Sequence, residues 1–461
     1  MAQHGSGIFW HETVGPRAPS PPATGRLRCD VVIVGAGFTG LWSAYHLLAT
    51  DPTLDIVLLD AHHAGFGASG RNAGFAMTLL DLTLHRFATT YGDDASAHAH
   101  RAVARSVVEI AEAVTAAGID CDLESTGLLR VATNPAQRER LERELATARR
   151  LGLDGFHLLD RDGVRAQVDS PAYVGGLLED SCALVNPAKL SVGLADTVRD
   201  QGARSFEGSP VTDVVEEPGG VLVTTALAQV RADRAILATN AWAGRLPGLT
   251  RRVLPVYTYV VLTEPLSDRQ WASIGWAGRQ GIEDARNLVH YYRPTADGRI
   301  LLGGADVVYR LGGAVSPRRD RHERIRRRLE RDLLATFPQL GRVRFTHHWG
   351  GPIAVSGSLV PLVGTLGGGR VCHAVGYSGH GVAPAHTAGR VLRDLVLDRD
   401  TDDTAICFVG RRQPTFPPEP LSWVGAELSR RELLFGDRRM DAGHPGGDPD
   451  PIVFRLLDRF G

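Results

Sequence analysis

Three glycine-rich segments carry the residues whose types and spacing could do chemistry. The first, Gly35-Ala36-Gly37-Phe38-Thr39-Gly40, follows the apolar run DVVIV and precedes LWSAYHLLAT, whose apolar spacing is helical. In such a strand–turn–helix the first glycine permits the tight turn. The second lets the backbone approach a pyrophosphate, and the third lets helix and strand pack closely. The helix start then offers N–H groups and a positive dipole end to the diphosphate. DIVLLD completes a βαβ unit and ends on Asp60, placed where a carboxylate accepts from ribose hydroxyls. The same carboxylate would repel a 2′-phosphate, which argues against NADP.

The second segment, AGFGASGRNAGFAM, holds Ser69, Gly70, Arg71, Asn72, Ala73, Gly74 and Phe75. An NAD enzyme has no use for a long small-residue loop here. A flavin does, because its ribityl chain and ring need backbone donors, with an arginine near the phosphates. ILATNAW, with Ala238, Thr239 and Trp242, is an apolar strand breaking into small residues, the kind of turn that closes over a dinucleotide. The third segment, Gly376-Tyr377-Ser378-Gly379-His380-Gly381, puts glycines at a helix start, where a positive dipole end meets the N1–C2=O edge of a flavin.

On these motifs the sequence resembles the D-amino-acid oxidase-like flavoprotein superfamily, in the branch of glycine oxidase, sarcosine oxidase and gamma-glutamylputrescine oxidoreductase. VVIVGAGFTGLWSAYHL, ASGRNAGF, ILATNAW and HWGGPIAVSGSLVPLVG…HAVGYSGHGVAPAHTAG carry the resemblance over about Asp30 to Leu397. It implies FAD, a flavin domain interleaved with a substrate domain, and oxidation of a C–N bond; Ala61 and Val211 join the expected cofactor contacts. Three departures refine it. No cysteine stands in HHWGGPIAV and Arg71-Asn72 occupies the histidine attachment position, so non-covalent FAD is expected. Ile300, Leu301 and Leu302 fill the strand where sarcosine oxidases carry a lysine that assists oxygen reduction. Val382-Ala383 stands where their carboxylate clamp has a basic residue, which disfavours simple N-methylglycine.

The elements that must position these segments follow from the rest of the chain. Residues 1–28, rich in Pro, Gly and Ser, read as an extended N-terminal arm anchored by Trp10. Segments 29–90, 175–250 and 350–400 form an expected Rossmann-like FAD-binding domain; 91–174 and 251–349 form a substrate domain on an antiparallel sheet; 401–461 is a tail. The expected class is thus α/β joined to α+β. SPRRDRHERIRRRLERDLLATF reads as a solvated helix with Ile325, Leu329 and Leu333 facing the core and its arginines paired with acids, not as a nucleic-acid surface. Composition agrees: the 461 residues are 43% hydrophobic and 22% charged with net charge −1, so no global field favours nucleic acid. No apolar run reaches the roughly 18–20 residues that span a bilayer. Five scattered cysteines without a C-x-x-C fit a reducing cytoplasm, and the start lacks an apolar export core. Lys189 is the single lysine, which removes almost every candidate for lysine catalysis. His62, His63 and His85 lack metal-site spacing and carboxylate partners, so no metal is expected.

Candidate substrate-side residues are Tyr257, Tyr259, His290, Tyr291, Tyr292, Arg293, His347 and His348, of which alternation admits only one of Tyr291 and Tyr292. The expected catalytic set is His380, Tyr292 and Arg293, with His380 or a tyrosine assisting deprotonation of a substrate ammonium. The expected reaction is hydride transfer from a small amine or amino acid to flavin N5, with oxygen or another electron acceptor completing the cycle. Oxidation of a 2-hydroxy acid or polyol, and a flavin-binding subunit of a larger complex, stay open as alternatives.

Overall fold

The computed structural model describes residues 7–444. Two sheets face each other across the cofactor-binding motifs. The first has strand order Leu362–Leu366, Val371–Val375, Ala228–Leu237, Gly25–Val34, Ile56–Leu59, Arg204–Phe206, parallel throughout except for the first pair. Parallel pairing requires crossovers, and helices Phe38–Thr50 and Pro187–Asp200 supply them. Both faces of such a sheet must be covered, which explains the unbroken apolar run of DVVIV. Ile33, Leu58 and Ile236 point into the helical layer with Leu41, Val103, Ile110 and Val391. Val32, Val57 and Leu237 point the other way, under the hairpin of Val211–Glu217 and Gly220–Thr225.

The second sheet runs Val308–Tyr309, Val253–Thr263, Ile300–Gly304, His290–Pro294, Gly281–Asp284, Leu128–Ala132, Gly175–Glu179, Phe156–Leu159, with Phe345–Ser356 also paired to Val253–Thr263. It is antiparallel except where Gly281–Asp284 lies parallel to Leu128–Ala132. Its outer face carries Tyr257, Tyr259, Ile282 and Tyr292 against helix Glu323–Thr336, which buries Ile325, Leu329 and Leu333. That helix's arginines pair along its own surface, as Arg326 does with Glu323 and Glu330.

The segment boundaries differ from those expected. Gly175–Glu179 pairs with Leu128–Ala132 and Phe156–Leu159, so it belongs to the second sheet, as does most of Phe345–Ser356. Helix Asp93–Ala116 packs instead with the first sheet's helical layer. Strand pairing across long sequence separations decides such membership, and local composition carries no mark of it. The tail forms helix Leu421–Asp441, and its last stretch, 445–461, lies outside the described residues. The arm docks through helix Phe9–Glu12: Trp10 is buried and its Nε1–H donates to the Asn72 carbonyl at 2.8 Å.

Candidate active site

A cavity of about 580 Å³ runs between the sheets and is lined by all three glycine segments. At the first turn, Gly35 has φ +108°, and a Cβ there would sit 2.6 Å from the Ala238 carbonyl oxygen. Gly40 is equally constrained, since a Cβ would meet the Gly35 oxygen at 1.9 Å. Gly37 caps helix Phe38–Thr50 without a side chain, and Ser69 Oγ crosses from the second loop to accept from the Phe38 N–H at 2.8 Å. Asp60 accepts from the Ala36 N–H through Oδ2 and from the His62 N–H through Oδ1, each at 2.8 Å. Burial still pushes its carboxyl above the usual range.

Of the expected cofactor contacts, Gly35, Gly37, Phe38, Thr39, Asp60, Ala61, Ser69, Arg71, Asn72, Ala73, Gly74, Phe75, Val211, Ala238, Thr239, Trp242, Tyr377, Ser378, Gly379, His380 and Gly381 line the cavity. Ala36, Gly40, Gly70 and Gly376 stand just behind this lining and shape the turns: a Cβ on Gly70 would strike the Gly65 oxygen at 2.2 Å. Arg71 lines the cavity but is already committed. Its guanidinium donates to the Phe66 carbonyl (2.7 Å), to Asp320 (2.8 Å) and to the Gly350 carbonyl (3.3 Å), so it fastens the loop to the second sheet.

Two expected catalytic residues are displaced. Tyr292 points to the outer face, where its hydroxyl meets that of Tyr173 at 2.5 Å. Tyr291, one residue earlier, lines the cavity in its place, its ring lying where Gly303 leaves room for it. Arg293 shares the inner face with Tyr291 but is sealed off: its Nη1 donates to the Val185 carbonyl at 2.8 Å, beneath Gly74, and it is 1% exposed. Tyr257 and Tyr259 donate to the Ser316 and Arg319 carbonyls on the outer face. His290 is held between Asp284 (2.8 Å) and Asp332 (3.1 Å), His347 pairs with Glu12, and His348 Nε2 accepts from the His322 N–H.

His380 lies in the cavity, its Nδ1 3.3 Å from Asp81 Oδ1. Burial opposes its charge, yet Asp81 and Glu283 outweigh burial and raise its pKa above 6.5. Burial also raises the Asp81 carboxyl, against the His380 contact that lowers it. Asp81 and Glu283 escaped the sequence reading. A lone acid inside the apolar run TLLDLTL was the one available sign of Asp81. Glu283 had none, because Glu-Asp at a strand end looks like solvent-facing surface. The mouth includes Asn287, Leu288, Val289, Asp306 and Val307, which the C-terminal helix braces. Asp437 accepts from the Asn287 N–H at 2.8 Å and the Leu288 N–H at 3.2 Å, and Arg430 grips Asp306 through two contacts of 2.6 Å.

These residues fit a flavin dinucleotide. The helix start is uncapped by its own side chain, Asp60 stands beside the cavity, and the Thr239 and Ser378 hydroxyls are buried there without a hydrogen-bond partner. Buried hydroxyls without partners are costly, and a polar ligand satisfies them. A two-sheet molecule with a βαβ dinucleotide cradle opening onto a second, largely antiparallel sheet is a flavoprotein architecture. The chain belongs to the FAD-dependent oxidoreductase (DAO) family, whose profile matches residues 30–395, and its cofactor is FAD. It is 36% identical over 398 residues to gamma-glutamylputrescine oxidoreductase of Escherichia coli (strain K12), covering 86% of this chain and 90% of that one. It is 25% identical over 391 residues to glycine oxidase of Bacillus licheniformis, covering 81% and 94%. The crystal structure of glycine oxidase from Geobacillus kaustophilus superposes with TM-score 0.72 at 20% identity, over 84% of this chain and all of that one, which speaks to the fold alone.

Proposed function

We propose that this FAD-dependent oxidoreductase oxidises the C–N bond of a small amine, giving an imine that water hydrolyses. The chemistry FAD supplies when bound is acceptance of two electrons as a hydride from the carbon beside nitrogen. The chain's own residues bind, orient and exclude water. Val260, Tyr291 and Ile353 wall the part of the cavity facing the second sheet, and Thr258 adds one hydroxyl. His380 sits just before helix Ala383–Val396, which has no side-chain cap, so a bound ring edge gaining negative charge would meet a histidine and a positive helix end there.

The observation that carries the reading is the polar lining of the cavity, where His380 faces Asp81 at 3.3 Å and Glu283 stands on the opposite sheet. A hydroxy acid brings a carboxylate that calls for a cation in the site, and Arg293 is sealed behind the Val185 carbonyl at 1% exposure. Amine oxidation needs a neutral nitrogen and orientation, and no strong base. The gamma-glutamylputrescine oxidoreductase and glycine oxidase names of the relatives support the same class. FAD is held without a covalent bond in this reading, and the five free thiols support a reducing compartment such as the cytoplasm. Anaerobic absorbance titration with panels of amines, amino acids and hydroxy acids is the test. Bleaching of the flavin by amines is expected, and bleaching by hydroxy acids alone would overturn the reading.

A further inference from the structure

Glu283 is the least explained charged residue of the molecule. It lies on strand Gly281–Asp284, paired antiparallel to Tyr291, and alternation turns Ile282 outward while Glu283 and Tyr291 both line the cavity. It is 4% exposed, and among the described residues no hydrogen bond or salt bridge holds its carboxylate, although the charges of His380 and of Arg130, its register partner, reach it. Other buried carboxylates nearby have partners: Asp284 with His290 and Arg286, Asp306 with Arg430, and Glu179, through Oε1 alone, with Thr78. Burial raises the Glu283 pKa, which His380 and Arg130 only partly offset. A carboxylate buried beside a cavity without a partner is a standing cost that a cation entering the cavity removes.

The other charges around the cavity point the same way. Its basic lining residues are His62, Arg71, Arg245 and His380. His62 adjoins Asp60; Arg71 is bound to Asp320 and two carbonyls; Arg245 lies on the turn of Trp242, whose ring packs on Gly67 of the second loop. His380 already faces Asp81. Two arginines share the inner face with Tyr291 outside the cavity lining: Arg293 is shut behind Val185, and Arg130, in register with Glu283, faces Glu144 at 3.7 Å. The wall opposite the cofactor cradle therefore offers a carboxylate to a cation and no guanidinium or ammonium to a carboxylate.

We infer that Glu283 is a specificity-determining residue that receives an alkylammonium on binding and takes up its proton, leaving the neutral nitrogen that oxidation requires, and that this wall rejects substrates with a carboxylate on the reacting carbon. The inference rests on the amine reading above and narrows its substrate class to amines without an α-carboxylate. It is tested with two probes that have no hydrogen on the carbon bearing nitrogen and so cannot be oxidised: tert-butylamine and 2-aminoisobutyrate. Binding to the holoenzyme is read by perturbation of the flavin absorbance and by equilibrium dialysis. Tert-butylammonium should bind at least about tenfold tighter than 2-aminoisobutyrate, and Glu283→Gln should weaken it roughly 10- to 100-fold, the scale of one charge-assisted contact in a buried site. FAD content should stay stoichiometric in the variant. Glu283→Asp, which keeps the charge on a shorter arm, should retain part of the binding and covers the case in which the glutamine variant fails to fold. Equal binding of tert-butylammonium by wild type and Glu283→Gln, or tighter binding of 2-aminoisobutyrate by wild type, overturns the inference. The amine reading is judged separately: if no oxidisable amine bleaches the flavin while Glu283 still governs cation binding, that reading fails and this one stands.

Discussion

Replacing Gly37 by valine should abolish FAD binding while leaving the apoprotein folded. A Cβ at Gly37 would stand 2.9 Å from Ser69 Oγ, the atom that accepts from the Phe38 N–H at 2.8 Å. Losing that bond costs about 1 kcal/mol, and losing even one N–H contact to a charged pyrophosphate costs about 1.5–3 kcal/mol more. Together these give about 2.5–4 kcal/mol, or roughly a hundredfold to a thousandfold in Kd, before the valine methyls add their own bulk. The displaced atom is the end of a serine side chain, so the helix need not move. Gly40→Ala is the contrast. Its Cβ would meet the Gly35 carbonyl oxygen at 1.9 Å and Ile33 Cγ2 at 3.1 Å, both part of the strand–helix contact itself. Relief there requires backbone shifts costing about 1–3 kcal/mol of fold stability. Titrating each apoprotein with FAD by fluorescence quenching, alongside thermal unfolding by circular dichroism, separates the two. Stoichiometric, unweakened FAD in Gly37→Val would refute the reasoning, as would an apoprotein Tm lowered as far as in Gly40→Ala.

Acid precipitation should release all flavin into the supernatant, because no cysteine lines the cavity; flavin retained in the pellet would refute non-covalent binding. With no lysine in the cavity, the substrate-reduced enzyme should react more slowly with oxygen than with a quinone dye in stopped-flow mixing, because little fixed positive charge stabilises superoxide. His380 is the remaining cation near that wall, and its pKa is raised. Its charge is present below that pKa and lost as pH rises through it, so reoxidation by oxygen should slow as pH climbs through that raised pKa. Asp81→Asn removes the contact that raises the pKa and should move this limb to lower pH; an unmoved limb would exclude His380. Arg430→Ala should free Asp306 and loosen the Asn287–Val289 side of the mouth, raising KM severalfold with FAD content unchanged; an unchanged KM would show the C-terminal helix does not brace the site.

The cofactor end of the molecule was legible in the sequence because its chemistry is backbone chemistry. Gly35, Gly37 and Gly40 are required by close approaches between segments adjacent in the chain, so the turn, the strand before it and the helix after it announce one another. The arginine-rich helix was legible for a similar local reason, since Ile325, Leu329 and Leu333 repeat at helical spacing. Trp10 was legible as an anchor by its type alone. The substrate end was decided by tertiary structure. Whether Tyr291 or Tyr292 faces the cavity depends on the register of His290–Pro294 between its neighbours, and a slip of one residue exchanges every side chain's face. Arg71 and Arg293, both read as site cations, are engaged in part by groups far away in sequence, Asp320 and the Gly350 carbonyl for Arg71 and the Val185 carbonyl for Arg293, and no local pattern reports where such partners lie. Asp81 and Glu283 meet His380 across about 300 and about 100 residues of chain. Local periodicity sets which elements form; the register and packing of distant strands set which side chains share a cavity, because those depend on contacts the neighbouring sequence does not contain.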